Sequence, residues 1–219
     1  YGPVGKGLGR YTSELIKSLE EIDKENRYVI FLRRENFDSY VPKNPRFEKR
    51  LADFRWYSLE EQVIFPIVLY RERCDLLHFP HFNVPIGYRG PFVVTVHDLI
   101  LLRFPTLRAT TLSPILYRMK FLAYRFVIWN ALFRSQAIIT VSEYAKADIL
   151  DRYRVSSEKI TVTYEAAHPF CFRSSPESSR DFFLRLGLLE TKSESSVHGI
   201  LKPFVLSVGN AYPHKNLEA

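Results

Sequence analysis

Cysteine is nearly absent. Only Cys74 and Cys171 occur in 219 residues, which excludes a disulfide framework and fits a reducing cytosol better than an oxidising compartment. No secretory leader pattern opens the sequence and no internal repeat divides it. A Walker loop is excluded because Gly5-Lys6 is followed by Gly7 and not by Ser or Thr. Cys74, His78 and His81 straddle a strand and a proline turn with no second ligand pair at a metal spacing, so no metal is expected. The basic residues are scattered and do not cluster with aromatics in a nucleic-acid motif, which argues against a nucleic-acid partner.

What is present is the material of a packed domain. Hydrophobic residues make up 46% and aromatics 15%, enough for one good core and part of another. The formal net charge of +7 suits an anionic partner: nucleotide phosphates, lipid headgroups or nucleic acid. Tyr1 and Ala219 read as cut ends, so the sequence is treated as a fragment truncated at both. The central feature is the apolar run Phe92 to Val96, bounded by Gly90-Pro91 and broken by His97-Asp98. It reads as a strand buried on both faces. In open parallel sheets ligands bind beyond the carboxyl ends of such strands, where this His-Asp pair lies.

The remaining elements follow in order. Gly2, Gly5, Gly7 and Gly9 form a glycine loop ahead of a helix with Tyr11, Leu15, Ile16, Leu19 and Ile22 on one face, a geometry suited to a phosphate or carboxylate. Tyr28 to Leu32 and Phe47 to Leu51 read as strands. Ser58 and Glu61 form a capping-box pattern before an apolar segment that Pro66 is expected to break or kink. A strand ends at Phe79-Pro80, and His78 or His81 is expected to line a cleft or satisfy the backbone. Thr111 to Arg134 reads as a helix apolar almost all round. Its basic residues fall on two faces, which argues against a membrane span and for a core helix with snorkelling charges; peripheral contact with an anionic bilayer is the minority reading. Ala137 to Val141 is a strand, Ser142 an N-cap, Glu143 a complement to the helix dipole, and Ile160 to Tyr164 the next strand. Alternating strands and helices predict an α/β, Rossmann-like, doubly wound parallel sheet. Residues 1–165 form this domain, with its first strand missing. Residues 166–202 read as a linker with a short helix at Asp181 to Leu186, and 203–219 as the start of a second domain whose strand begins at Phe204.

Four segments then carry a resemblance. The glycine loop running into Gly9-Arg10-Tyr11, the strand ending in His97-Asp98, the run Ile139-Thr140-Val141-Ser142-Glu143-Tyr144, and Val208-Gly209-Asn210-Ala211-Tyr212-Pro213-His214-Lys215-Asn216 are similar to the family-4 retaining glycosyltransferases. The resemblance implies two facing Rossmann-like domains (GT-B), the first holding mainly the acceptor and the second mainly a nucleotide sugar. It implies that His97, with Asp98 beside it, reaches the transferred sugar. Gly7, Gly9 and Lys215 would bind the donor diphosphate, and Arg10, Tyr11, His81, Ser142 and Glu143 would line the acceptor and sugar cleft. Where many members carry a second cationic contact, this sequence has His214 and Asn210.

The resemblance further implies a nucleotide-sugar donor, with GDP-mannose favoured and UDP-sugars next, and a glycan or lipid-linked acceptor in cell-surface polysaccharide synthesis. It implies no metal or other cofactor, and a cytoplasmic location that includes the inner face of the membrane. Lacking the family's acidic pair, residues 1–219 alone are expected to be inactive. Two other readings stand beside it: a nicotinamide-dependent oxidoreductase using the glycine loop, and a non-catalytic sugar- or anion-binding module.

Overall fold

The computed structural model describes residues 7–104, 113–166, 182–190 and 200–204. The chain divides into two compact units, Tyr1–Glu165 and Ala166–Ala219. The first has parallel strands connected by helices. Helix α1 (Gly7–Ile22) leads to β1 (Tyr28–Leu32), and a short α2 (Arg34–Phe37) leads to β2 (Phe47–Leu51), which pairs in parallel with β1. Helix α3 (Leu59–Arg71) then crosses to β3 (Leu77–Phe79). Next come β4 (Phe92–Val96), a short α4 (Ile100–Arg103), the long α5 (Pro114–Arg134), β5 (Ala137–Thr140), α6 (Glu143–Arg152) and β6 (Ile160–Val162). Strands β3 to β6 lie side by side in sequence order, all parallel. The α/β class with parallel Rossmann-like strands is as the sequence predicts, in two sheets of two and four strands among the described residues of the first unit.

The core forms where β4 meets α5. Phe92, Val94 and Val96 are completely buried, as are Ile128, Ala131 and Leu132 of α5 and Ile138 of β5. Burying an aliphatic or aromatic side chain contributes about 1.5–3 kcal/mol, so this layer holds the four-stranded sheet to its helix. Helix α6 closes the far end with Ala145 and Ile149 buried, and Ser142 caps it by accepting from the Ala145 N–H. Ser113 caps α5 in the same way through Leu116.

Several sequence expectations are corrected. Among the described residues helix α1 begins at Gly7, so Gly7 and Gly9 are helical and not in a loop; Gly2 and Gly5 lie outside the described residues. Ile16 is the buried anchor of α1, whereas Ile22 is exposed. The buried Glu20 carboxylate takes part in docking this helix, accepting from the Tyr40 hydroxyl and the Lys43 N–H. Pro66 does not break α3, which runs through it. The Gln62 carbonyl, which a residue with an N–H at 66 would have bonded, lies instead against Gly87, where an added Cβ would be 3.3 Å from it and 3.5 Å from the Pro66 ring. The missing side chain at 87 thus leaves room for the freed Gln62 carbonyl. Ser58 caps α3 as expected. Glu61 turns inward, however, and accepts from the Tyr57 N–H and the Asn83 side-chain amide; burial pushes its carboxyl pKa up. Strand β5 ends at Thr140 and β6 at Val162, each shorter than expected.

In the second unit residues 182–185 are helical. Strands β7 (Leu189–Glu190) and β8 (Ile200–Leu201) pair antiparallel, so the region read as linker holds paired strands. Phe204 is not in a strand. The rest of the strand expected there, and Lys215, lie outside the described residues.

Candidate active site

A parallel sheet delivers every strand end to one edge. The register pairs Val96 with Thr140 and Thr140 with Val162, so His97, Ser142 and the chain approaching Glu165 leave the sheet at similar levels. The end of β4 is the centre of this edge. Side chains alternate along a strand, which sends Thr95 and His97 to the face away from the Phe92–Val94–Val96 core.

His97 is held on three sides. Its Nε2 lies 3.1 Å from the Pro80 carbonyl oxygen; a carbonyl only accepts, so this nitrogen carries the proton. Its Nδ1 lies 3.3 Å from a Glu165 carboxylate oxygen, an ion pair when the ring is the imidazolium. Tyr11 of α1 meets the ring edge-on, with centroids 4.6 Å apart and planes at 90°, a favoured aromatic geometry. The Tyr11 hydroxyl is 3.4 Å from the Thr95 hydroxyl, which is fully buried and 2.8 Å from Nε2 of His78. A polar chain from Tyr11 through Thr95 to His78 therefore underlies His97.

The neighbouring histidines are kept neutral. His78 leaves one edge open on β3, yet its ring is enclosed enough that desolvation, and then the charge of His97, lowers its pKa to about 4. His81 is lowered to about 4 by the same two causes in the same order. Its ring packs on Phe82, with centroids 3.8 Å apart, and Nδ1 accepts from the Asn83 N–H.

The structure sorts the sequence-derived candidates. His97 and Tyr11 are in direct contact, and His81 lies near enough to feel the charge of His97. Gly7 and Gly9 lie in the first described turn of α1, at the end of the helix that bears Tyr11. Space beside the Gly7 Cα is open. Arg10 is exposed on the same turn. Asp98 is exposed and accepts from the Ile100 N–H, shaping the turn into α4. Ser142 is used as the α6 cap, and Glu143 is exposed in its first turn.

Two participants were not singled out from sequence. Thr95 is the single polar residue in FVVTV, a signal that was available. Glu165 lies just past β6 in a stretch without a motif, and only folding brings it to His97. The surface hollow lined by Lys17, Glu20, Lys24 and Lys43 is at the other end of α1 and contains none of these groups.

Comparison with known proteins gives this edge a family. The chain matches the O-antigen chain mannosyltransferase RfbU of Salmonella typhimurium (strain LT2) at 26% identity across all of its own length and 55% of that protein's. It thus spans about half the length of this curated relative. The model for Glycosyltransferase Family 4 matches residues 5–167, a stretch that includes every residue of the His97 cluster, and the chain therefore belongs to glycosyltransferase family 4.

Proposed function

We propose that the protein transfers a sugar, mannose from GDP-mannose in the first instance, to a glycan or lipid-linked acceptor hydroxyl with retention of anomeric configuration. Residues 1–165 would form the acceptor-side wall of a GT-B enzyme. The observation that carries this reading is the seating of His97 beyond β4, between the Pro80 carbonyl, the Glu165 carboxylate and the Tyr11 ring. A ring fixed on three sides offers a substrate one orientation, which is how a group contributes to orienting a bound sugar.

In this proposal the acceptor oxygen attacks the anomeric carbon on the side from which the nucleoside diphosphate departs. The new carbon–oxygen bond forms as the bond to phosphate breaks, and the hydroxyl proton passes to the departing phosphate oxygen. Negative charge grows on the diphosphate, so fixed positive charge and N–H donors accelerate the step. The first turn of α1, with Gly7 and Gly9, and Lys215 of the second unit are the groups proposed to meet it.

The test uses the full-length protein. Thermal stability is measured with GDP-mannose, UDP-glucose, UDP-N-acetylglucosamine and NAD(H), because a ligand that binds the native state raises it. Stabilisation by GDP-mannose that is lost in Lys215→Ala supports the proposal. Stabilisation by a UDP-sugar replaces the donor, and stabilisation by NAD(H) alone overturns the transferase reading.

A further inference from the structure

Helix α5 was expected to sit in the core, with basic residues blurring any outward stripe. One face does: Ile128, Ala131 and Leu132 are fully buried. The opposite face does not. Ile115, Met119, Leu122, Phe126, Trp129 and Phe133 are all exposed, from 42% to 75%. Their spacing of three and four residues lays them in one continuous stripe along the 21-residue helix.

Basic residues follow one edge of this stripe. At about 100° per residue, Arg118 and Arg125 fall along one margin, whereas Lys120 lies on the far side of the helix, and all three are exposed. The helix contains no Asp or Glu. A second apolar strip adjoins the same layer. Helices α3 and α5 run in the same direction along the segment 82–88: Glu61 and Tyr124 reach Asn83 and Phe82 near its start, and Tyr70 and Arg134 both reach Tyr88 at its end. Outward from α3 stand Leu59, Val63, Ile67 and Tyr70, each at least 48% exposed. Its acidic residues are confined to the first turn.

We infer that this α5–α3 face is a docking surface for an anionic phospholipid bilayer. The chemistry selects that occupant. A protein partner meeting a basic-rimmed face would supply carboxylates at fixed points, whereas a bilayer supplies a continuous apolar layer under a sheet of negative headgroups. The observed arrangement, an apolar and aromatic centre with the long cationic side chains of Arg118 and Arg125 along one margin and no carboxylate on the helix, matches the latter. Trp129 is of the kind that favours the headgroup boundary. No helix among the described residues is long and apolar enough to cross a membrane, so α5 lies in the interface plane. The inference is independent of the transferase proposal, since it uses no residue of the His97 cluster.

The experiment is flotation of the full-length protein with phosphatidylglycerol–phosphatidylcholine vesicles and with phosphatidylcholine alone, at low and high salt. The protein is expected to float with the anionic vesicles, weakly with the neutral ones, and to be released by salt. Trp129→Ser and Phe126→Ser each weaken partition by about tenfold; Arg118→Gln and Arg125→Gln each weaken it by about fivefold. Exposed Val41→Ser, outside the face, changes nothing. Thermal melts confirm that the variants remain folded. Retention in the soluble fraction with anionic vesicles overturns the inference, as does flotation that the stripe variants leave unchanged. Self-association lost in Trp129→Ser, without flotation, assigns the face to a second copy of the protein and also overturns it.

Discussion

Along β4, Phe92, Val94 and Val96 point to one side and are completely sealed, whereas Thr95 and His97 alternate to the other and join a chain of hydroxyls and imidazoles. The two sides share one backbone, separated only by the pleat. The first set is held by shape and exclusion of water, and the second by directed bonds. A strand thus presents chemistry on one face because the other face supplies the rigidity that chemistry requires.

That division is tested most severely from the sealed side. Phe92→Ala opens a hole beside Phe79 and Tyr88 and is expected to cost about 3–5 kcal/mol, read as a lower urea midpoint at unchanged slope. His97→Ala should do the reverse: transfer by the full-length protein falls by about a hundredfold or more, while the loss of stability stays well below that of Phe92→Ala. Equal losses of stability from both substitutions would erase the distinction. Thr95→Val keeps the volume but leaves His78 without its hydroxyl partner, at a cost of about 1–3 kcal/mol.

Acid probes the same side without mutation. His78 and His81 have folded-state pKa values near 4 against an ordinary 6.5. Between those values the unfolded chain takes up more protons than the folded one, so stability is full above about pH 6.5 and declines as pH falls toward 4. Urea titrations across that window should show the decline, and His78→Gln should flatten it. The smallest effect is expected from Tyr11→Phe, which removes one long 3.4 Å hydrogen bond and keeps the edge contact with His97. About 0.5–1 kcal/mol of stability is at stake, with the effect measured by the same denaturation.

Much of the scaffold was legible because local pattern and burial agree. The bounds of β1, β2 and β4 coincide with the strands read from sequence, and Ser58 and Ser142 cap the helices that follow them. The errors fall where a distant residue decides. Pro66 reads as a breaker until Gly87 is placed opposite it, and Gly7 and Gly9 read as loop until α1 is seen to include them. Helix α5 is apolar almost all round, so periodicity could not say which face is buried; packing against β4 settles that. In the site, His97 and Tyr11 were visible as residue types at a strand end and a helix start. The Glu165 contact was not, because it joins residues whose proximity arises only when β6 pairs with β5.

Pro66 and Gly87 also bear on how this scaffold can be rebuilt. A loop transplanted from a relative into the 80–90 region, or a helix exchanged for 59–71, carries half of a matched pair: a Cβ at 87 would lie 3.3 Å from the freed Gln62 carbonyl and in ordinary contact with the ring at 66. For anyone assembling chimeras, these two positions are best exchanged together, because a side chain at 87 requires the carbonyl at 62 to give way by a few tenths of an ångström.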